Sequence, residues 1–315
     1  MTEPHIAVGI LSGKEIRFSF PESFISSDGI VISGIQQTVY QKGKICWQGK
    51  EYDKLSFTPQ QPTSSFFELQ DVTIGINFHW ERKESQRFKG ELKIIIEEEQ
   101  LTAINVISIE EYLISVISSE MSATASLELL KAHAVISRSW LLNKWKTESR
   151  NQEMENEKIG KSIQKDSVAN SQFSILNSQF IKWYDHEAHK NFDVCADDHC
   201  QRYQGITRAS TPQAIEAVIA TRGEVLMYAG TICDTRFSKC CGGAFEEFQN
   251  CWENVKHPYL IGQRDCKVEN QLPDLTIETE ADKWIRTSPD AFCNTQDKKI
   301  RSEERRVGKE CRSRW

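Results

Sequence analysis

From Ile6 to about Ile107, apolar and polar residues alternate in short runs: IAVGIL, IRFSF, GIVISG, TVYQKG, KICWQGKEY, FFELQ, VTIGINF, FKGELKIIIEE and LTAINVIS. Alternation places every second side chain on one face of a strand, and the Gly, Lys-Gly and Pro-Gln punctuation supplies turns. Residues 1–105 therefore predict an antiparallel β-rich unit. The period then changes. In ISIEEYLISVISSEM, Ile109, Leu113, Val116 and Ile117 share one helical face. A second helix is expected from about Ser126 to Trp145, with Leu127, Leu130, Ala134, Leu141 and Trp145 as its stripe.

Periodicity is lost after Trp145. Residues 146–180 are charged, then rich in Ser, Asn and Gln, and carry NSQF twice, at Asn170–Phe173 and Asn177–Phe180. Such a segment buries too little apolar surface to offset its ordering entropy and predicts a disordered insertion. Compact character returns over 181–300. A helix is expected at Thr211–Ala220, then strands in GEVLMYAG and TICDTRFS, then CCGGAFEEF and a turn region through WENVKHPYLIGQRD. The fold class is α+β: a β-rich N-terminal part followed by a mixed helix and strand part that contains the insertion.

At 315 residues, 39% hydrophobic and 27% charged, the chain can bury a core. Its lysines and arginines are scattered among acids, with a net charge of -6, so no nucleic-acid partner is expected. No window approaches the apolar length of a membrane span, and MTEPHIAVGILSGKE has an acid and a proline where an export signal has basic residues and an apolar core. The final run RSEERRVGKECRSRW, residues 301–315, reads as the forward translation of a sequencing-library adapter beginning AGATCGGAAGAGC. Without its six basic and three acidic residues the charge becomes -9.

Glu120 is a candidate for chemistry. It stands four residues from Val116 and three from Ile117, on the apolar side of its helix and near the C-terminal end, where both surroundings penalise a negative charge. General acid catalysis on a glycosidic bond needs such a carboxyl group. A salt bridge at a helix end is the plainer fate of the same residue.

SIEEYLISVISSEM and LELLKAHAVISRSW resemble the stage II sporulation protein D family (SpoIID/LytB), with its pattern P-L-E-E-Y-L-x-G-V-V-x-x-E-M-P followed by E-A-L-K-A-Q-A-V-A-A-R-T. FKGELKI resembles the family's Y-R-G-x-L segment, CQRYQG its C-Q-x-Y-x-G turn, and ATRGEVLMYAGTICDTRFSKCCGGAFEEF its A-T-x-G-x-V-L-x-Y-x-G segment through the S-S-S-x-G-G loop. HPYL matches as well, so the likeness extends over most of residues 6–266.

The resemblance implies a lytic transglycosylase that cuts peptidoglycan glycan strands with Glu120 as catalytic acid and base. One carboxyl group suffices because the sugar's own hydroxyl is the nucleophile, so the paired carboxylates of ordinary glycosidases are not required. The alternative within the family is a cell-wall binding or amidase-enhancing module without catalysis. A protein that responds to metal or redox state is a third possibility, which needs reactive thiols. Peptidoglycan lies outside the cytoplasm, which points to the cell envelope; since the sequence shows no export signal, either an upstream piece is missing or export takes another route.

The chain departs from the family pattern at Ser122, His133 and the SKCCGG segment, Ser238–Gly243. His133 is either a second acid-base group facing the substrate or a replacement for a glutamine hydrogen bond. Arg138 keeps the family arginine on the buried side of its helix. Direct pairing with Glu120 would oppose the acid role, so Glu110, Glu111 or substrate is its expected contact. Ser238, Gly242 and Gly243 offer a hydroxyl and backbone amides to a sugar, or form a tight turn that needs two glycines. Cys240 and Cys241, being adjacent, are badly placed to bond to each other.

Ten cysteines are many for a reducing compartment, and seven of them fall between Cys195 and Cys266. His189, Cys195, His199 and Cys200 form H-x5-C-x3-H-C, two nitrogens and two sulfurs suited to tetrahedral zinc. His186 is the substitute ligand, and a disulfide or free thiols are the competing states. HEAH is one residue short of H-E-x-x-H, so no metalloprotease face is formed. Some family members carry zinc on a similar set, and four protein ligands imply a structural site that pins the segment after the insertion against the two helices. Asp193, Asp197 and Asp198 either orient the ligand histidines or are solvated.

Overall fold

The structure, a computed structural model, describes residues 3–76, 79, 81–121, 123–159, 189–197, 199–207, 211–238, 241–267, 272–287 and 290–293, with 146–159 described by backbone alone. The alternating runs form β1 (His5–Gly13), β2 (Glu15–Ser26), β3 (Val31–Gln41), β4 (Lys44–Trp47), β5 (Lys50–Tyr52), β6 (Leu55–Pro59), β7 (Phe66–Ile74), β8 (Arg82–Lys89), β9 (Glu91–Glu97) and β10 (Gln100–Ser108). The helices α1 (Ile109–Glu120) and α2 (Leu127–Ile159) follow, then β11 (Val194–Cys195), α3 (Pro212–Ala220), β12 (Met227–Tyr228), β13 (Thr231–Ile232), α4 (Phe248–Cys251) and α5 (Glu278–Arg286). The α+β class expected from the sequence is the one observed.

Eleven strands join in the order β11-β1-β10-β9-β6-β2-β3-β4-β5, with β7 paired to β2 and β8 to β7. β2 changes partner along its length. Phe18 and Ser19 pair with β7, whereas Phe24 to Ser26 pair with β6. The register shift between Phe20 and Phe24 contains Pro21, whose nitrogen has no hydrogen to give to a ladder. The inward side chains Phe18, Phe20, Phe24, Phe57, Phe67 and Phe88 are fully buried, with neighbouring ring centroids 4.3–6.4 Å apart.

Among the described residues two compact units result, one within residues 1–148 with 188–227 and the other within 149–187 with 228–315. In the first, α1 buries Ile109, Leu113, Val116 and Ile117, the face read from the sequence, together with Tyr112. α3 packs on α1 with Ala214, Ala217 and Val218 buried, and Thr211 caps it by accepting from the Ala214 amide.

Several elements differ from expectation: most of β8, with β11, α4 and α5, falls outside the strands and helices read from the sequence. β6 was not anticipated, because a five-residue run ending in proline gives little periodicity, although Leu55 and Phe57 are buried. α2 continues to Ile159 rather than stopping near Trp145. The two strands expected over residues 223–238 shrink to β12 and β13, two residues each. In the first of them Leu226, Met227 and Tyr228 are all exposed, so it has no buried face to reward a longer ladder. The rest of the expected insertion, 160–180, with Ser122, His186, Asp198, Cys240 and the tail 301–315, lies outside the described residues.

Candidate functional site

Glu120 is the last residue of α1, and the chain turns extended at Met121. At the other end Ser108 caps the helix, with Glu110 and Glu111 in the first turn where the helix dipole favours acids. The Glu120 side chain is half-buried. Its Oε1 accepts a hydrogen bond from the Arg202 backbone amide at 2.7 Å.

That amide belongs to CQRYQG, Cys200–Gly205, which runs as a strap along α1. The Tyr112 hydroxyl donates to Gln201 Oε1 at 3.3 Å, and the Gln204 amide donates to Ser115 Oγ at 3.2 Å. Tyr203 is buried between Tyr112 and Phe88, with ring centroids 5.0 and 5.8 Å away, and its hydroxyl donates to Asn105 Oδ1 at 2.6 Å. Asn105 in turn donates to the carbonyls of Lys89 and Glu91 that flank Gly90. Gly205 closes the strap at φ +57. A Cβ there would press on the Arg87 carbonyl, which the Ile206 amide needs as acceptor. The glycines of the FKG and CQRYQG motifs are thus required by close backbone approach, since Gly90 meets the Val106 carbonyl in the same way.

The strap begins at the histidine and cysteine cluster. One donor atom each from His189, Cys195, His199 and Cys200 lies within 4.8 Å of the others. Cys200 Sγ is 3.4 Å from His189 Nε2 and 3.4 Å from His199 Nδ1, and Cys195 Sγ is 3.8 Å from His199 Nδ1. Sulfur and nitrogen on a tetrahedral zinc stand about 3.5 Å apart, so the donor set fits that ion. All four residues sought from the sequence are together, and His186 is not needed to complete the set.

Three supports place the cluster on the sheet edge. β11 pairs in parallel with β1, Val8 with Val194 and Gly9 with Cys195. The Phe192 ring occupies the space a Cβ on Gly9 would take and stacks on His189 with centroids 4.5 Å apart. Asp193 accepts from the Ala7 amide at 2.7 Å. Its carboxylate therefore secures β11 to β1 rather than orienting a ligand histidine. On the other side, Lys144 of α2 reaches Cys200 Sγ at 3.6 Å.

The two thiols have unequal proton affinities. A hydrogen bond from Cys195, with help from Lys144, holds Cys200 down at about 7 against the opposing effect of burial. Cys195 is pushed up, first by the same bond and then by burial. Tyr112 is driven well above the ordinary phenol range, chiefly by burial and then by the charges of Cys200, Cys195 and Glu120. The buried tyrosine thus lies within electrostatic reach of both the cluster and Glu120.

His133 and Arg138 lie inside α2 at 2% and 1% exposure. Arg138 binds Glu110 through both arms, Nε to Oε1 at 3.0 Å and Nη2 to Oε2 at 2.7 Å, and Nη1 donates to the Glu224 carbonyl at 3.1 Å. Of the contacts expected for it, Glu110 is the one made. This pairing ties α2 to the first turn of α1, and such burial leaves the guanidinium no surface for glycan.

Ser238, Gly242 and Gly243 belong to the second unit. Ser238 is exposed, and the two glycines turn the chain at φ 67 and 93. Their carbonyls accept from Trp284 Nε1 at 3.1 Å and the Asp265 amide at 3.0 Å. Sequence reasoning missed the roles of Tyr112, Lys144, Phe192 and Tyr203. For Tyr203 the signal was its place in the CQRYQG motif.

A protein-family model described as SpoIID, Stage II sporulation protein, matches residues 97–228. It spans Glu120, the cluster and the whole strap. No curated protein matches the chain. No helix among the described residues is long and apolar enough to cross a membrane.

Proposed function

We propose that this chain, which carries a SpoIID-family domain at residues 97–228 and with it a cell-wall-related role, cleaves peptidoglycan glycan by lytic transglycosylation. Glu120 is the proposed acid and base. The supporting observation is the bond from the Arg202 amide to Glu120 Oε1, which joins two motifs separated by 82 positions in sequence at one half-buried carboxyl group.

In this scheme the Glu120 carboxyl group carries the proton. That proton passes to the oxygen bridging N-acetylmuramic acid and N-acetylglucosamine as the bond from the muramic C1 breaks. The carboxylate then takes the proton of the muramic 6-hydroxyl while its oxygen bonds to C1, closing the anhydro ring and restoring the acid. No water is consumed and one group serves both steps. Arg138 is a positioning residue in this scheme, tying α2 to the first turn of α1 through Glu110. Ser238, Gly242 and Gly243 remain the proposed glycan contacts of the second unit.

Zinc on His189, Cys195, His199 and Cys200 would be structural, since four protein ligands leave no open coordination position. It would fix Cys200 and hence the amide two residues further on.

The test is incubation of the chain lacking residues 301–315 with glycan strands stripped of stem peptides, followed by mass spectrometry for anhydromuramyl ends. The expected result is products from the wild type and none from Glu120→Gln. Products that persist in Glu120→Gln refute the catalytic assignment. Glycan that binds but stays uncut in the wild type marks a binding module instead.

A further inference from the structure

The second unit contains a cluster that the proposed function does not use. Cys241, Asp265 and Cys293 each bring a donor atom within 4.8 Å of the other two. Cys241 Sγ is 3.8 Å from Cys293 Sγ and 3.2 Å from Asp265 Oδ2, and the Cys293 amide donates to the same carboxylate oxygen at 3.3 Å. Three stretches of chain far apart in sequence meet there, all of them half-buried.

We propose that Cys241, Asp265 and Cys293 form a second metal site, one for a thiophilic divalent ion of the zinc class. Two sulfurs on a tetrahedral zinc stand about 3.8 Å apart, the separation seen here, whereas a disulfide requires about 2.05 Å. The carboxylate gives a second reason. An acid beside two thiols adds nothing to a disulfide, but as a third ligand it completes a two-sulfur, one-oxygen set that zinc accepts.

Binding is balanced as follows. The ion displaces one proton from each thiol, two protons leave to solvent, and two thiolates with one carboxylate around a dication carry a net charge of minus one. Three protein ligands leave the fourth position to water.

The site's placement gives it a purpose. Cys241 directly precedes Gly242 and Gly243, and the backbone around it is already threaded to the other two ligands. The Asp265 amide donates to the Gly243 carbonyl, the Phe245 amide to the Gln263 carbonyl, and the Phe292 amide to the Asp265 carbonyl. A metal would lock this knot and set the glycine turn in one conformation. Without it, the turn rests on two residues at positive φ and the hydrogen bonds just named.

Metal content separates this site from the first and does not depend on catalysis. The full chain carrying Cys195→Ser and Cys200→Ser is purified under reductant, loaded with zinc, and measured by elemental analysis. One equivalent should remain and should be lost on adding Cys293→Ser or Asp265→Asn, the latter keeping both thiols and nearly the same shape. Cobalt in place of zinc should give a thiolate charge-transfer band that Cys293→Ser weakens. In the unmutated chain, zinc should shield Cys241 and Cys293 from alkylation until a chelator is added, a readout that needs no variant to fold. Zinc content unaffected by either substitution, or a Cys241–Cys293 disulfide found by mass spectrometry in metal-free protein that resists zinc under reductant, would overturn the proposal.

Discussion

The Arg202 backbone amide lies 2.7 Å from Glu120 Oε1, so the last side chain of α1 is held by the strap that starts at Cys200. A main-chain donor is a rigid way to aim a carboxyl group, because the amide is fixed by its neighbours. Gln201 and Gln204, on either side of it, are bound to Tyr112 and Ser115 of the same helix.

Replacing Glu120 by glutamine keeps an oxygen to accept from Arg202 and removes only the transferable proton. Anhydromuramyl product formation should fall by about 10²–10⁴, the usual contribution of a general acid, with the thermal midpoint nearly unchanged. Glu120→Ala should lose the same activity and also about 1 kcal/mol of stability, since the amide then has no side-chain acceptor. Equal midpoints for the two variants would show that the bond contributes nothing.

Chelating the proposed zinc of the first cluster should free Cys200 and loosen the strap. Hydrogen exchange at the Arg202 and Gln204 amides should accelerate after chelation, while amides of β7 and β8 stay protected. Cys200→Ser should reproduce the change. If the strap amides exchange equally with and without metal, the cluster does not pin them.

Arg138 and Glu110 form an ion pair with side chains 1% and 14% exposed. Glu110→Gln leaves a buried guanidinium without its counter-charge and should cost about 3–5 kcal/mol in urea unfolding. Arg138→Met alone should cost a similar amount. The double variant Arg138→Met with Glu110→Gln should cost clearly less than the sum, because neither charge remains to be buried unpaired. Additive losses would mean that the two groups act independently.

Tyr203 links pH to stability. Burial, with a smaller effect of Glu111, raises its phenol above the ordinary value of 10.0. A raised acid contributes stability that is complete below the unfolded value and lost as pH rises toward the folded one. The wild type should therefore lose stability progressively above pH 10, as ionisation demands a buried phenolate. Tyr203→Phe should be less stable at pH 7 by about 1–3 kcal/mol, since Asn105 loses its donor, and should show a shallower alkaline decline. Identical alkaline slopes would remove Tyr203 from this role.

Gly205→Ala combines a left-handed φ with pressure on the Arg87 carbonyl. The backbone conformation alone costs about 1–2 kcal/mol, and displacement of the carbonyl adds to it. The prediction is a drop of at least that size by thermal or urea unfolding. Gly223→Ala is the control: it too has positive φ but open space around it, so it should lose only the conformational part.

Alternation in the first hundred residues and the apolar face of α1 were legible without coordinates, because strand and helix periods are local and each side chain's direction follows from its position. The same holds for the cluster His189, Cys195, His199 and Cys200, the proposed ligand set, whose spacing in one short loop already brings four donor groups together. Glu120 could be selected from its place on the helix and its motif. What held it could not. The Arg202 amide comes from 82 positions further along, and a backbone donor leaves no mark in residue identity. Tertiary packing also decided that Arg138 pairs with Glu110, that Asp193 binds the β1 backbone, and that Cys293 reaches Cys241 across 52 positions. Local chemistry is written in the order of the residues, whereas a meeting of distant ones depends on which surfaces the core draws together.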